Sequence, residues 1–249
     1  MIYLLIFFLG SIFGSFANLV VNRSISGESI VFPRSHCDCC KRKLEWFELI
    51  PIFSYIFLKG SCRSCGKKIG LSYLLMELGG GFLALIGFLP DFNLKAFFIF
   101  GSLILSMIIA IIDLKTMEIF QGQLIFLIGL GLFYRLIFIG FSGAYLLELF
   151  GFSIMYLAIF YLSKKNIGDG DYYFYLGLSL FIKDSSFLLF ILISIWLGGL
   201  VGLIILLKER KRGMRMPFAI FIFLSYLCIL ILEKGAIIWK RRDLAWLSL

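Results

Sequence analysis

Charged residues are scarce. Asp, Glu, Lys and Arg make up 16% of the 249 residues, 61% are hydrophobic, and the mean hydropathy is +1.01. That is too little polarity to cover the surface of a soluble domain of this size. Only four prolines occur, against 29 phenylalanines, so a disordered polar tail is excluded as well. The apolar runs also lack the short-range alternation of outer-membrane strands, whose side chains face lipid and lumen in turn. The composition therefore specifies an all-α, polytopic membrane protein.

Crossing the hydrocarbon layer takes roughly 20 apolar residues. Stretches near 2–21, 71–89, 96–112, 120–141, 144–162, 172–182, 186–207 and 217–232 qualify or nearly do, the sixth being short. About eight transmembrane helices are expected. No basic residue precedes the first stretch, whereas Arg23, Arg34, Lys41, Arg42 and Lys43 follow it. A cleaved signal peptide has the opposite arrangement, so this segment is expected to stay, with its N-terminus outside. From that start, residues 23–70, 113–119, 163–171 and 208–216 fall inside and carry most of the 24 basic residues, as the positive-inside rule requires. Lys240, Arg241 and Arg242 fall outside in this scheme, which implies a tail that folds back or a miscounted span.

Topology thus accounts for most of the formal charge of +9, contact with anionic membrane lipid follows from it, and no nucleic-acid partner is required. Arg135 and Glu148 flank the turn near 141–143 and are expected to pair, since an unpaired charge in the membrane costs about 2.5–3.5 kcal/mol. The chain divides into a first helix (1–22), a cytoplasmic loop (23–70) and a multi-helix segment (71–249).

Five of the six cysteines lie in that loop, as Cys37, Cys39 and Cys40, then Cys62 and Cys65; the sixth, Cys228, sits in an apolar span and reads as packing. Two C-x-x-C turns aim four thiolates at one point, the shell that structural zinc prefers. Disulfides are the alternative, disfavoured on the cytoplasmic side. The symmetric ligand set is Cys37, Cys40, Cys62 and Cys65, with Cys39 or His36 as possible substitutes. Four thiolates leave no open position on the metal, so it would hold a zinc-ribbon-like loop together without activating water.

Asp113 closes the third span, and Asp171 opens the sixth within Gly168-Asp169-Gly170-Asp171. Both fall on the cytoplasmic side of a topology fixed by basic residues alone. Two carboxyls at matched depth suit aspartyl proteolysis: close like charges do not both ionise, so one keeps a proton while the other takes one from water. Gly168 and Gly170 would let backbone approach an extended substrate. Read singly, the aspartates are helix-end charges, and the glycine-rich stretch is a turn or a fragment of a calcium loop.

With these features in place, the chain resembles the bacterial type IV prepilin peptidases, GxGD aspartyl proteases. Gly14-Ser15-Phe16-Ala17-Asn18-Leu19-Val20-Val21-Asn22-Arg23 is similar to the family's first-helix signature, and Leu49-Ile50-Pro51-Ile52-Phe53-Ser54-Tyr55 with Lys59-Gly60-Ser61-Cys62 to its inter-knuckle stretch. The resemblance implies removal of the short basic leader from prepilins or pseudopilins at the cytoplasmic face of the bacterial inner membrane, with Asp113 and Asp171 as the catalytic pair. It also implies, for many members, N-methylation of the new terminus with S-adenosylmethionine, for which the sequence holds no glycine-rich fingerprint. The chain departs from the family pattern at Ile119-Phe120, where Ile-Pro is common, and at Tyr173, where lysine is common. Asn18 reads as a polar group satisfied by a neighbouring helix, and Glu77 as a helix-start carboxylate or one that meets a basic leader. Two rival readings remain: a proton- or metal-coupled transporter using intramembrane carboxylates, and a membrane-tethered zinc-ribbon binding module without catalysis.

Overall fold

Long apolar runs with few breakers leave the backbone one economical choice in lipid, which is to satisfy its own hydrogen bonds as helix. The computed structural model describes residues 1–37, 39–90, 92–163, 168–209 and 216–246, and among them there are helices and no strands. Lys164, Lys165 and the basic residues of 210–215, which the topology argument used, lie outside the described residues. The chain splits into two compact units, Met1–Leu89 and Pro90–Leu249.

Unit 1 is built on α1 (Ile2–Ser26) and α3 (Leu71–Phe88), with the short α2 (Phe53–Phe57) and a 3-10 turn at Trp46–Leu49 in the segment between them. The second helix therefore packs with the first, and the unit runs to residue 89 instead of ending at the loop boundary near 70. The cause is glycine. A Cβ added to Gly10 would lie 2.3 Å from the Gly80 carbonyl oxygen, and one added to Gly14 2.3 Å from that of Met76. The two backbones touch, which is how helices gain contact where lipid supplies no hydrophobic drive. α1 stops at Gly27, whose left-handed conformation (φ 71°) lets its N–H bond the Arg23 carbonyl. The Arg23 guanidinium then gathers the returning chain, donating to the carbonyls of Ser29 (2.8 Å), Ile30 (3.1 Å) and Pro33 (2.6 Å).

Glu77 lies in the middle of α3, not at its start. Its carboxylate accepts from Ser15 Oγ (2.9 Å) and from the backbone N–H of Ile52 (2.7 Å). Ile52 has φ 65°, rare for a β-branched residue, in a three-residue turn closed by a Phe53 N–H to Pro51 carbonyl bond of 2.7 Å. Asn18 is buried, but contrary to the expectation that a neighbouring helix satisfies it, its Nδ2 has no hydrogen-bond partner among the described residues.

Unit 2 contains α4 (Leu94–Thr116), α5 (Gln121–Phe138), α6 (Gly143–Leu162), α7 (Asp169–Ser179), α8 (Phe187–Glu209) and α9 (Ala219–Trp246). α4 is its centre, with 67% of its apolar stretch buried, against 11% for α6 at the margin. Across the whole chain, seven of the described helices are long and apolar enough to cross a membrane, one fewer than the eight stretches in the sequence. The difference is α7, whose 11 residues rise only about 16 Å. It runs parallel to α5 at close range: a Cβ on Gly177 would meet Leu127 at 2.9 Å, and one on Gly131 would meet Leu180 at 2.9 Å.

A short, weakly apolar helix needs polar anchors, and α7 has several. Its Ser179 hydroxyl meets Tyr145 of α6 (2.9 Å), its Tyr172 hydroxyl meets Ser153 of α6 (3.0 Å), and its Tyr175 hydroxyl meets Ser194 of α8. Ser102 of α4 and Tyr226 of α9 form a further pair at 2.6 Å. In each pair the serine hydroxyl donates to a carbonyl one turn back in its own helix, so its oxygen is left to accept from the tyrosine hydroxyl, which gains a partner in an apolar medium.

Arg135 does not pair with Glu148. Its fully buried guanidinium bonds Asp184 and the carbonyls of Ser179 (3.2 Å) and Ile182 (3.3 Å), and lies 3.4 Å from the Tyr145 ring centroid. Asp184 is also held by Ser142 Oγ at 2.5 Å. The turn after α7 delivers this carboxylate to the end of α5, while Glu148 points outward from α6. Cys228, expected to be packed, is exposed on α9.

Candidate functional site

In unit 1 the two C-x-x-C turns are built alike. Lys41 N–H bonds the Cys37 carbonyl and Gly66 N–H the Cys62 carbonyl, both at 2.9 Å. Cys37 N–H bonds the Arg42 carbonyl (2.9 Å) and Cys62 N–H the Lys67 carbonyl (2.8 Å). The fifth residue of each turn, Lys41 (φ 54°) and Gly66 (φ 68°), is left-handed, and bridges His36–Lys43 and Ser61–Lys68 close the two loops. The repeat points all four thiols inward. The sulfurs of Cys37, Cys40, Cys62 and Cys65 lie within 4.8 Å of one another, and those of Cys37 and Cys65 are 3.8 Å apart.

Thiolates roughly 2.3 Å from a tetrahedral zinc stand about 3.8 Å from each other, the spacing of the Cys37–Cys65 pair, so this cluster fits a structural metal once its wider pairs draw in. All four cysteines are free thiols, not disulfides. Backbone N–H groups of Cys65 and Ser64 push the Cys62 thiol down to about 6, while burial and the neighbouring Cys62 and Cys37 thiols push Cys65 up to about 12, so the close sulfurs do not all ionise without a cation among them. Cys39 stays outside the cluster on an exposed position, and the His36 ring is turned to the Arg34 carbonyl (3.1 Å). Arg42 reaches from the first turn to Glu48 of the 3-10 turn (2.5 Å), and Arg63 of the second lies over the Phe47 ring.

Below the cluster, α1, α3 and the cysteine segment enclose a cavity of about 560 Å³ whose wall includes Ser15, Asn22, Tyr55, Tyr73 and Glu77. No strand, and hence no strand-borne glycine turn for a nucleotide, exists among the described residues.

In unit 2 Asp113 occupies the last turn of α4, 6% exposed. Its Oδ2 accepts the N–H of Ala219 at 3.0 Å, at the N-terminus of α9, where unbonded amides favour a negative group. Its own carbonyl bonds Met117 N–H (2.7 Å), which closes α4 with a left-handed residue (φ 56°). Asp171 sits in the first turn of α7, after an N-cap, Gly168, that offers no capping side chain. A Cβ on Gly170 would be 3.1 Å from that of Ile119, so glycine lets α7 approach the α4–α5 connection. The hydrogens of Gly168 face Asp171 instead, with Oδ2 3.6 Å from an ideal Cβ position.

Asp113 and Asp171 line one cleft. The cleft's far wall is apolar, with Phe152, Met155 and Ile159 of α6 facing Ile191 and Ile195 of α8, while Glu118 and Asp169 add exposed carboxylates. Of the two departures from the family pattern, Phe120 precedes α5 and lines the cleft, whereas Tyr173 is 46% exposed and packs edge-on against Tyr172. The residues of α6 and α8 were not legible as site residues, because nothing in an apolar run marks which face will border a cavity. Such an arrangement, two carboxyls at the polar end of an apolar groove, can hold a water between an acid and a base beside an extended peptide.

Comparison with known proteins divides the chain in the same place. Residues 8–90 match the Bacterial Peptidase A24 N-terminal domain, and residues 98–203 match the Type IV leader peptidase family. The chain is 31% identical over 226 residues to the prepilin leader peptidase/N-methyltransferase of Bacillus subtilis (strain 168), covering 86% of this chain and 88% of that protein. It is 30% identical over 217 residues to the protein of that name from Myxococcus xanthus (strain DK1622), covering 84% of this chain and 65% of the other. For the one from Klebsiella pneumoniae the figures are 37% over 140 residues, 53% and 60%. The matched region is thus just under two thirds of the Myxococcus and Klebsiella proteins. No solved structure matches the chain.

Proposed function

The chain belongs to the type IV leader peptidase family, and on that premise we propose that it is an aspartyl endopeptidase whose Asp113 and Asp171 remove the short basic leader from prepilins or pseudopilins. The single observation that carries this reading is the convergence of two carboxyls, from helices 58 positions apart by residue number, on one cleft with an apolar wall. A transporter reading has no comparable support.

The chemistry follows from the pair. One carboxyl is ionised and takes a proton from a water molecule as its oxygen attacks the scissile carbonyl carbon. The other, protonated, donates to the carbonyl oxygen. The tetrahedral species then collapses with cleavage of the C–N bond, the departing amine takes a proton, and the pair returns to its singly protonated state. Two coupled acids titrate as a unit, so neither residue has a fixed role. The Ala219 N–H on Asp113 Oδ2 holds one carboxyl still and leaves its other oxygen for this work. Gly168 keeps the edge of the cleft beside Asp171 bare of a side chain, so that an extended backbone can lie there, while Gly170 gives its space to Ile119.

The protein is a membrane protein, and the concentration of basic residues in 23–70 and 208–216, on the side to which the order of spans also assigns the segments of Asp113 and Asp171, supports placing the pair at the cytoplasmic face of the bacterial cell membrane. The cysteine cluster would hold zinc as a structural clamp. The relatives' names include N-methyltransferase, and for such a second activity S-adenosylmethionine would supply the methyl group.

Co-expression with a candidate prepilin, followed by mass measurement of its N-terminus, tests both activities in one spectrum. Loss of the leader mass is expected with the unaltered chain, and an added methyl group would bring in the second activity. An intact leader with every prepilin of the same cell would overturn the proposal.

A further inference from the structure

Asp171 is gripped on both sides in sequence by one face of α6. Tyr156 donates its hydroxyl to the Gly168 carbonyl at 2.7 Å, three residues before Asp171. Ser153 meets the Tyr172 hydroxyl at 3.0 Å, one residue after it, and the Phe152 ring stacks nearly parallel to that of Tyr172. Residues 152, 153 and 156 share a helical face, so a single surface of α6 holds the whole first turn of α7. From the other side Ile119 presses on Gly170.

Of these holds, the one on Gly168 is the most consequential. Ser, Thr, Asp or Asn at an N-cap fixes the helix start with its own side chain, whereas glycine cannot. The cap position that sets the direction of Asp171 is therefore fixed from outside the helix, by a tyrosine whose ring also lines the cleft and packs 5.3 Å from that of Tyr172. We propose that Tyr156 is a positioning residue: its hydroxyl, bonded to the Gly168 carbonyl, sets the first turn of α7 and so the approach of Asp171 to Asp113. It does not itself touch the reacting atoms. The kinetic half of this assignment rests on the peptidase reading above; the structural half does not.

Tyr156→Phe removes one oxygen and keeps the ring and its packing. Hydrogen–deuterium exchange of the purified protein should become several-fold faster in the peptide covering 168–175 and stay unchanged in α5, while Tyr161→Phe, altering an exposed tyrosine on the same helix, changes neither. With a prepilin substrate, Tyr156→Phe should lower kcat by roughly tenfold and leave KM within about twofold, as expected when a catalytic group is displaced but binding is intact. Unchanged exchange in 168–175 overturns the proposal, whether or not the enzyme cleaves. A raised KM with unchanged kcat also overturns it, by making Tyr156 a substrate contact. If the unaltered chain cleaves no prepilin, the peptidase reading fails and the exchange result alone decides the role of Tyr156.

Discussion

The two long helices of unit 1 meet backbone to backbone at glycines, whereas unit 2 adds tyrosine–serine ties between helices to its glycine contacts. In unit 1, Gly10, Gly14 and Gly80 let two backbones meet, and the cysteine segment is organised by local hydrogen bonds within each C-x-x-C turn. In unit 2, tyrosine–serine pairs and the Arg135–Asp184 contact tie together helices far apart in sequence and hold α7, the helix that carries Asp171. A site made of local turns is robust and carries no obvious chemistry of its own. A site made of long-range ties is where small displacements matter, and it is where the two aspartates lie.

The comparison can be broken most severely at the metal. Replacing Cys40 and Cys65 with serine should abolish zinc binding, measured by atomic emission of the purified protein. Structural zinc is worth on the order of 10 kcal/mol to isolated zinc-binding peptides, so exchange protection across 35–68 should collapse. Protection in 168–175 should persist, since the ties around α7 are all within unit 2. Simultaneous loss in both segments would mean that the two units do not stand on separate supports.

A smaller effect is expected at the glycine contact. Gly14→Leu forces a side chain into the space of the Met76 carbonyl and should destabilise α1 against α3 by about 3 kcal/mol, read as a lowered midpoint in thermal unfolding in detergent. Gly129→Leu, at a helix position with open space around it, serves as the control and should be near neutral.

Smaller again is the Arg135 contrast. Arg135→Met leaves Asp184 without its cation and should cost about 2 kcal/mol, moderated because Asp184 is partly exposed. Glu148→Gln should change stability by less than about 0.5 kcal/mol, because that carboxylate points outward. Equal effects from the two would restore the pairing that position along the turn suggested.

These contrasts also separate what the residues announce from what they conceal. The four-cysteine site is legible because its information is local: two C-x-x-C spacings dictate two turns, and each turn aims its own sulfurs. Asp113 and Asp171 are legible as charges at helix ends, since an ionisable group beside a long apolar run stands out. Arg135 was equally visible but its partner was not, because Asp184 reaches it through the short α7 and not across the nearest turn. Tyr156 gave no signal at all; an aromatic residue in an apolar helix looks the same whether it meets lipid or the carbonyl of Gly168.

The central claim is that Asp113 and Asp171 act as one unit. The direct test is cleavage of a prepilin by Asp113→Asn, Asp171→Asn and the double variant, each checked for unchanged zinc content. Either single substitution should lower the rate by about a thousandfold or more, and the double variant should be no slower than the singles, as for groups that work only together. A single variant that kept substantial activity, or losses that simply multiplied in the double variant, would contradict it.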